Sequence, residues 1–170
     1  MTTTAPFTVR LAAMSDAEAI RAIYNAEVTG STVTFDLVPR TAADQTRWME
    51  EHAGAYPALV AVEAGQSDEV VGFASLSPYR SRPAYSTTVE DSVYVHADHR
   101  GNGVGRLLLG SVVDLATAGG FHTVMARIVG THEASIALHR SCGFDLVGIE
   151  REVGRKFGKW LDVALMQRLL

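Results

Sequence analysis

The sequence predicts an α/β domain whose central sheet is mixed, mostly antiparallel, and flanked by helices. Three observations carry this. Strand-like and helix-like segments alternate in the order β-α-α-β-β-β-α-β-α-β-β, and such interleaving gives a layered α/β architecture. The three strand-like runs in the middle include a hairpin pattern, so the first half reads as antiparallel. The chain has 170 residues, which suits one domain spanning 1–170. A chain this long buries roughly 70% of its unfolded surface and needs no covalent staple.

The elements follow in order. "FTVRLA" (Phe7–Ala12) reads as the first strand. Ser15 with Glu18 three residues on forms a capping box that starts a helix. Ala19, Ile20, Ile23 and Tyr24 sit on one face of that helix. "STVTFD" is β-branched and aromatic, but Pro39 follows, so the segment reads as an extended, structured connection. Thr41 caps a second helix that runs through Trp48. "PALVAVEA" and "EVVGFASLS" flank Gly65-Gln66-Ser67-Asp68 and read as a β-hairpin. "YRSRPAY" is a loop and "TTVEDSVYVH" a long strand. "GRLLLGSVVDLATAGG" is a helix ended by Gly119-Gly120. "FHTVMARIV" is a strand, "HEASIALHRSCG" a short helix ended by Gly143, and "FDLVGIERE" and "WLDVALMQRLL" are the last strands.

Composition narrows the function. Apolar content of 47% and charged content of 20% are those of an ordinary globular protein. The net charge of −4 argues against a general nucleic-acid binder. The single cysteine, Cys142, excludes an intrachain disulfide and fits a reducing compartment. The N-terminus lacks the apolar core of a signal peptide, and no stretch is long enough to span a bilayer, so the expectation is a cytoplasmic protein with no membrane partner. His96-x-x-His99 has no further partner at ligand spacing, so no metal is expected.

Gly101, Gly103 and Gly105 stand between a strand and a helix. They make either a tight turn or a backbone that a phosphate approaches closely, with free N–H groups at a helix N-terminus to receive it. A phosphate loop of Walker type ends in Gly-Lys-Ser/Thr, whereas this loop ends Gly105-Arg106-Leu107. A dinucleotide fingerprint is G-x-G-x-x-G in the first βαβ unit, whereas here the spacing is G-x-G-x-G and the site is mid-chain.

Arg100-Gly101-Asn102-Gly103-Val104-Gly105 reads as R-x-x-G-x-G. This resembles the pyrophosphate loop of the GCN5-related N-acetyltransferases (GNAT). "IYNAEVTGSTVTFDLVPRT", "YRSRPAYSTTVEDSVYV" and "GRKFGKWLDV" are similar to the phosphinothricin and methionine sulfoximine acetyltransferases of that superfamily. With the loop, the resemblance covers nearly the whole chain. It implies the GNAT fold, acetyl-CoA as cosubstrate, and a homodimer. It also implies a bulged strand splayed from its neighbour, leaving a wedge for the pantetheine arm.

Acetyl transfer to an amine needs a neutral amine, donors for the oxyanion and a proton for the departing thiolate. Glu90, Ser92 and Tyr94 lie on one face of their strand and Asp91, Val93 and Val95 on the other. The resemblance makes Glu90 the general base, with Asp91 one residue out of phase. It gives Val93, Tyr94 and Val95 to the pantetheine arm, and Arg100, Gly101, Asn102, Gly103, Val104, Gly105 and Arg106 to the pyrophosphate. His132 and Ser135 join the cofactor site. His132 stands where the family usually has asparagine, and Ser92 where threonine is common. His139 either protonates the thiolate or packs at a helix–sheet seam. The implied acceptor is a small amino acid or analogue. Arg82 would bind its anionic group in bidentate fashion, with Phe35, Tyr85 and Ser92 around it and Lys156 adding charge from a late loop. Two alternatives stay open: a protein or polyamine acceptor, and a non-catalytic acyl-CoA-binding domain.

Overall fold

A computed structural model describes residues 7–63, 65 and 69–170. In chain order it contains β1 (Phe7–Leu11), α1 (Ala17–Gly30), α2 (Ala42–Glu51), β2 (Ala58–Glu63), β3 (Val70–Pro78), β4 (Thr88–Val95), α3 (Val104–Ala118), β5 (Thr123–Val129), α4 (Glu133–Ser141), β6 (Asp145–Lys156) and β7 (Lys159–Leu169). The strands form one seven-stranded sheet in the order β1-β2-β3-β4-β5-β7-β6. Every neighbouring pair is antiparallel except β4–β5. The expected mixed, mostly antiparallel sheet flanked by helices is present. The tip of the β2–β3 hairpin, Gln66-Ser67-Asp68, lies outside the described residues.

Strand alternation divides the core. On β2, Leu59 and Ala61 pack under α3 with Leu108, Leu109, Val112 and Val113. Val60 and Val62 turn the other way and meet Ile20, Ile23, Tyr24 and Val28 of α1 and Met49 of α2. Each such aliphatic side chain contributes roughly 1.5–3 kcal/mol by leaving water. Period-two strands between helices of period 3.6 thus produce a sheet covered on both faces.

Two helix starts differ in their chemistry. Thr41 Oγ1 accepts from the Asp44 N–H at 3.1 Å while Asp44 Oδ2 accepts from the Thr41 N–H at 3.0 Å, a reciprocal capping box. The Ser15–Glu18 box is not formed. Instead Asp16 accepts from the Ala13 N–H at 2.8 Å and takes Arg10 in bidentate fashion at 2.7 and 2.9 Å. Glu18 is drawn to Arg21 at 2.6 and 2.9 Å. Charge-assisted pairs outcompete a neutral hydroxyl cap.

β6 runs further than expected, and β7 starts one residue earlier. They form a hairpin closed by Phe157 and Gly158, both at positive φ (49° and 74°), between paired Lys156 and Lys159. Positive φ at both central residues is the geometry of a tight two-residue hairpin turn. The segment read as a late loop is therefore the rigid end of a hairpin. Among the described residues no helix is long and apolar enough to cross a membrane.

Candidate active site

β4 pairs with β5 only from Thr88 to Glu90, opposite Thr123 to Met125. Beyond Glu90 the two strands part. On its other side β4 stays in unbroken register with β3, from Val89↔Pro78 to Val95↔Gly72. The wedge therefore comes from divergence alone, and the expected bulge in β4 is not there. The His96 N–H donates to Val71 O at 2.9 Å. By the alternation of an antiparallel ladder, the amides of Asp91, Val93 and Val95 turn toward the open side. A cleft of about 540 Å³ lies along that edge, within the usual range for a small-molecule site.

The glycine loop closes one end of the cleft. Gly101 and Gly103 adopt φ of 78° and 84°, which side chains disfavour. A Cβ on either would meet open space, so the backbone there is accessible. Gly105 has a different reason: a Cβ would sit 3.2 Å from Leu138 of α4. Gly103 is the N-cap of α3, whose first N–H groups carry the positive end of the helix dipole. Arg100 donates from Nε to Val95 O at 3.2 Å and pairs with Glu27 of α1. Arg106 and His132 also line this end. The His132 ring is held below the ordinary imidazole pKa by burial and by the Arg100 charge.

The other end carries the Glu90 face of β4. Glu90, Ser92, Tyr94 and Phe35 all line the cleft. Burial raises the Glu90 pKa above 4.5, and the Arg127 charge opposes part of that rise. Tyr94 stacks on Phe73 and meets Tyr24 edge-on, each at 5.2 Å between ring centroids. Tyr24 ties down the connection after α1 through Thr34 at 2.9 Å and Asp36 at 2.6 Å. Phe35 rests on Gly154 of β6, where a Cβ would come within 2.2 Å of its ring.

His139 lies across β4 from Glu90. Its Nδ1 contacts Ser135 O at 2.7 Å and its Nε2 contacts Asp91 Oδ2 at 3.1 Å. A carbonyl can only accept, so Nδ1 carries a proton, and the Asp91 carboxylate favours a second proton at Nε2. Burial lowers the imidazole pKa, but the Asp91 hydrogen bond and charge outweigh it, and the net shift is upward. Both ring nitrogens are thereby engaged within the protein, which leaves no ring N–H directed at a thiolate. Among the described residues no cluster of three or more His, Cys, Asp or Glu could hold a metal ion.

The sequence over residues 9–165 matches the family model described as an acetyltransferase (GNAT) domain. The chain belongs to the GNAT acetyltransferase family. It is 41% identical over 169 residues to the phosphinothricin N-acetyltransferase of Streptomyces coelicolor, covering 98% of each chain. It is 41% identical over 160 residues to the L-methionine sulfoximine/L-methionine sulfone acetyltransferase of Pseudomonas aeruginosa, covering 94% of this chain and 92% of that one. Among solved structures, a GNAT superfamily phosphinothricin acetyltransferase from Sinorhizobium meliloti, in complex with AcCoA, superposes with a TM-score of 0.91 at 39% identity. That match covers 97% of this chain and 89% of the other.

This GNAT chain gathers most of the anticipated residues in one cleft. Glu90, Ser92, Val93, Tyr94, Val95, Arg100, Gly101, Gly103, Gly105, Arg106, His132, Ser135, His139 and Phe35 line it. Five others are placed elsewhere. Val104 is buried in the core as the first residue of α3, and Asn102 is exposed on the loop. Arg82 is exposed and Tyr85 packs on Tyr79, both outside the cleft lining. Lys156 is 3% exposed and donates from Nζ to Thr34 O at 2.9 Å, so it braces the loop that carries Phe35. Glu27 and Arg127 line the cleft without having been anticipated. An arginine within the apolar run "VMARIV" was the available signal for the second.

Proposed function

We propose that the chain is an acetyl-CoA-dependent N-acetyltransferase of one domain, residues 1–170, acting on the amino group of a small amino acid or analogue of the phosphinothricin or methionine sulfoximine type. The unpaired edge of β4, running from Glu90 to the glycine loop, carries the reading. Its fit to the cosubstrate is good. The open amides of Val93 and Val95 suit the amide-bearing pantetheine arm as an added strand. The accessible Gly101 and Gly103 backbone and the α3 N-terminus suit a pyrophosphate. When bound, acetyl-CoA supplies the activated acetyl group.

Glu90 removes a proton from the acceptor ammonium, directly or through one water. Its raised pKa brings it closer to the working pH of a general base. A backbone N–H near Val95 receives the developing oxyanion. His139, paired with Asp91, lends positive charge to this part of the cleft only while it is protonated and does not touch the departing thiolate, which takes its proton from solvent. Phe35 and Ser92 border the acceptor. The exposed Leu146, Val147 and Ile149 on the edge strand β6 support a homodimer, since an apolar edge is normally covered. The single thiol and the use of acetyl-CoA support a cytoplasmic protein.

The test is thiol release from acetyl-CoA with methionine sulfoximine, phosphinothricin, a panel of amino acids, a peptide set and polyamines. Turnover is expected for the first two and for selected amino acids. Turnover confined to peptides or polyamines would replace the acceptor class. CoA binding with no turnover on any amine would sink the enzymatic reading.

A further inference from the structure

Two stretches of the cleft wall, the glycine loop and the connection after α1, are tied to one carboxylate. Glu27 stands near the C-terminus of α1 and lines the cleft. Its side chain is 12% exposed, and its Oε1 pairs with Nη2 of Arg100. Its Oε2 accepts from Ser31 Oγ at 2.6 Å. Ser31 ends α1, with its own N–H on Glu27 O at 3.1 Å. Ser31 Oγ in turn accepts from the Val33 N–H at 3.2 Å. Val33 leads into Thr34 and Phe35, and all three line the cleft. The contacts thus run unbroken from Arg100 through Glu27 and Ser31 to Val33. Their chemistry is consistent: the serine hydroxyl gives its one proton to the carboxylate and keeps lone pairs for the Val33 amide. Arg100 spends Nε on Val95 O and Nη2 on Glu27, which leaves Nη1 for an anion.

We propose that Glu27 is a positioning residue that couples the two parts of the site. It aims Arg100 at the pyrophosphate of acetyl-CoA and, through Ser31, sets the Val33 amide and the Phe35 wall. Cosubstrate and acceptor then each bind more tightly when the other is present. The assignment rests on the reading of the chain as an acetyltransferase whose acceptor borders Phe35. Its physical basis is ordering. An arginine on an exposed loop loses less freedom to a phosphate when a partner already holds it. Phosphates on Arg100 quiet the guanidinium, the carboxylate and the Ser31 hydroxyl together. An acceptor that meets the connection already ordered loses less entropy on binding. Linkage makes the effect equal in both directions.

An ion pair that only fastened α1 to the loop would lower stability when removed and leave the two binding events independent. CoA lacks the acetyl group and cannot turn over, so it reports binding alone. It is titrated calorimetrically into wild type, Glu27→Gln, Ser31→Ala and Ser31→Thr, with and without saturating methionine sulfoximine. Exchange of the Val33 amide is followed by NMR with and without CoA. In wild type the CoA Kd is expected to fall about 5-fold or more when the acceptor is present, and Val33 exchange to slow on adding CoA alone. Glu27→Gln should raise the CoA Kd several-fold and bring the Kd ratio close to unity. Ser31→Ala should leave the Kd for CoA alone within about 2-fold yet abolish both the ratio and the slowing, because only the link is cut. Ser31→Thr keeps the hydroxyl and should keep both. A ratio that persists in Glu27→Gln and Ser31→Ala would overturn the coupling. So would Val33 exchange that ignores CoA, or no effect of the acceptor on CoA Kd in a wild type that acetylates methionine sulfoximine. A CoA Kd that falls in Glu27→Gln would make the carboxylate a competitor of the phosphates and overturn it equally. A wild type whose Val33 amide responds to CoA but which neither binds nor acetylates any amine would instead overturn the acceptor reading beneath it.

Discussion

His139 Nε2 and Asp91 Oδ2 form an ion pair 3.1 Å apart whose side chains are only 4% and 1% exposed. It joins α4 to the strand that carries Glu90, on the opposite face of the sheet. The second carboxylate oxygen, Asp91 Oδ1, is buried with no hydrogen-bond partner among the described residues. Breaking a buried pair by removing one partner costs about 3–5 kcal/mol, because the other charge is stranded.

The pair makes stability depend on pH in a definite direction. The folded His139 pKa lies above its unfolded value of 6.5. The stabilisation is therefore complete below pH 6.5 and is lost as pH rises through the higher folded value. Urea unfolding of wild type between pH 6 and pH 9 should show that decline, and Asp91→Asn should flatten it while lowering stability throughout. Parallel profiles for the two proteins would mean that the pair is not proton-linked.

With Glu90 as the proposed general base, its titration is expected to set the acid limb of activity. Its pKa is raised by burial from 4.5, and a general base works only when deprotonated. Activity should therefore fall as pH drops through a value above that of an ordinary glutamate. Glu90→Gln should reduce kcat by roughly 10²- to 10⁴-fold, with the acid limb gone from the residual rate and acetyl-CoA binding kept. A variant that acetylates at the wild-type rate would remove Glu90 from the chemistry.

The glycine loop divides into two kinds of position. Gly103→Ala places a side chain at φ 84°, a conformation that costs about 1–2 kcal/mol. KM for acetyl-CoA should rise several-fold, with acceptor KM unchanged. Gly105→Ala instead presses on Leu138 at 3.2 Å and should lower thermal stability. Thermal melts with and without CoA separate the two effects. Equal loss of CoA-induced stabilisation in both would remove the distinction.

Much of the architecture was legible because the signals are local. Strand alternation, the Thr41 cap and the glycines after β4 each act within a few residues. The R-x-x-G-x-G loop and the Glu90–Ser92–Tyr94 face were readable for the same reason. What escaped is long-range. Asp91 and His139 are 48 residues apart, and nothing in either segment announces the other. Arg127 is set beside Glu90 by a parallel pairing that single-sequence periodicity does not specify. Lys156 carried an attractive charge, but its surroundings depend on a hairpin folding back over Thr34, 122 residues away.

That hairpin gives the last prediction. Lys156 and Gly154 on β6 hold Thr34 and Phe35 from beneath. Gly154→Ala would drive the Phe35 ring from its seat, since the new methyl would come within 2.2 Å of it. The ring is the mobile end of a side chain, so the stability loss should be small, about 1 kcal/mol or less, while the acceptor wall shifts. Lys156→Met keeps the bulk and removes the donor to Thr34 O, a loss of about 1–2 kcal/mol. Both variants should raise acceptor KM several-fold and leave acetyl-CoA KM alone. The comparison of methionine sulfoximine with its carboxamide decides the role of Lys156. A brace raises KM for both compounds alike, whereas an ammonium bound to the acceptor's carboxylate would raise it for the acid alone.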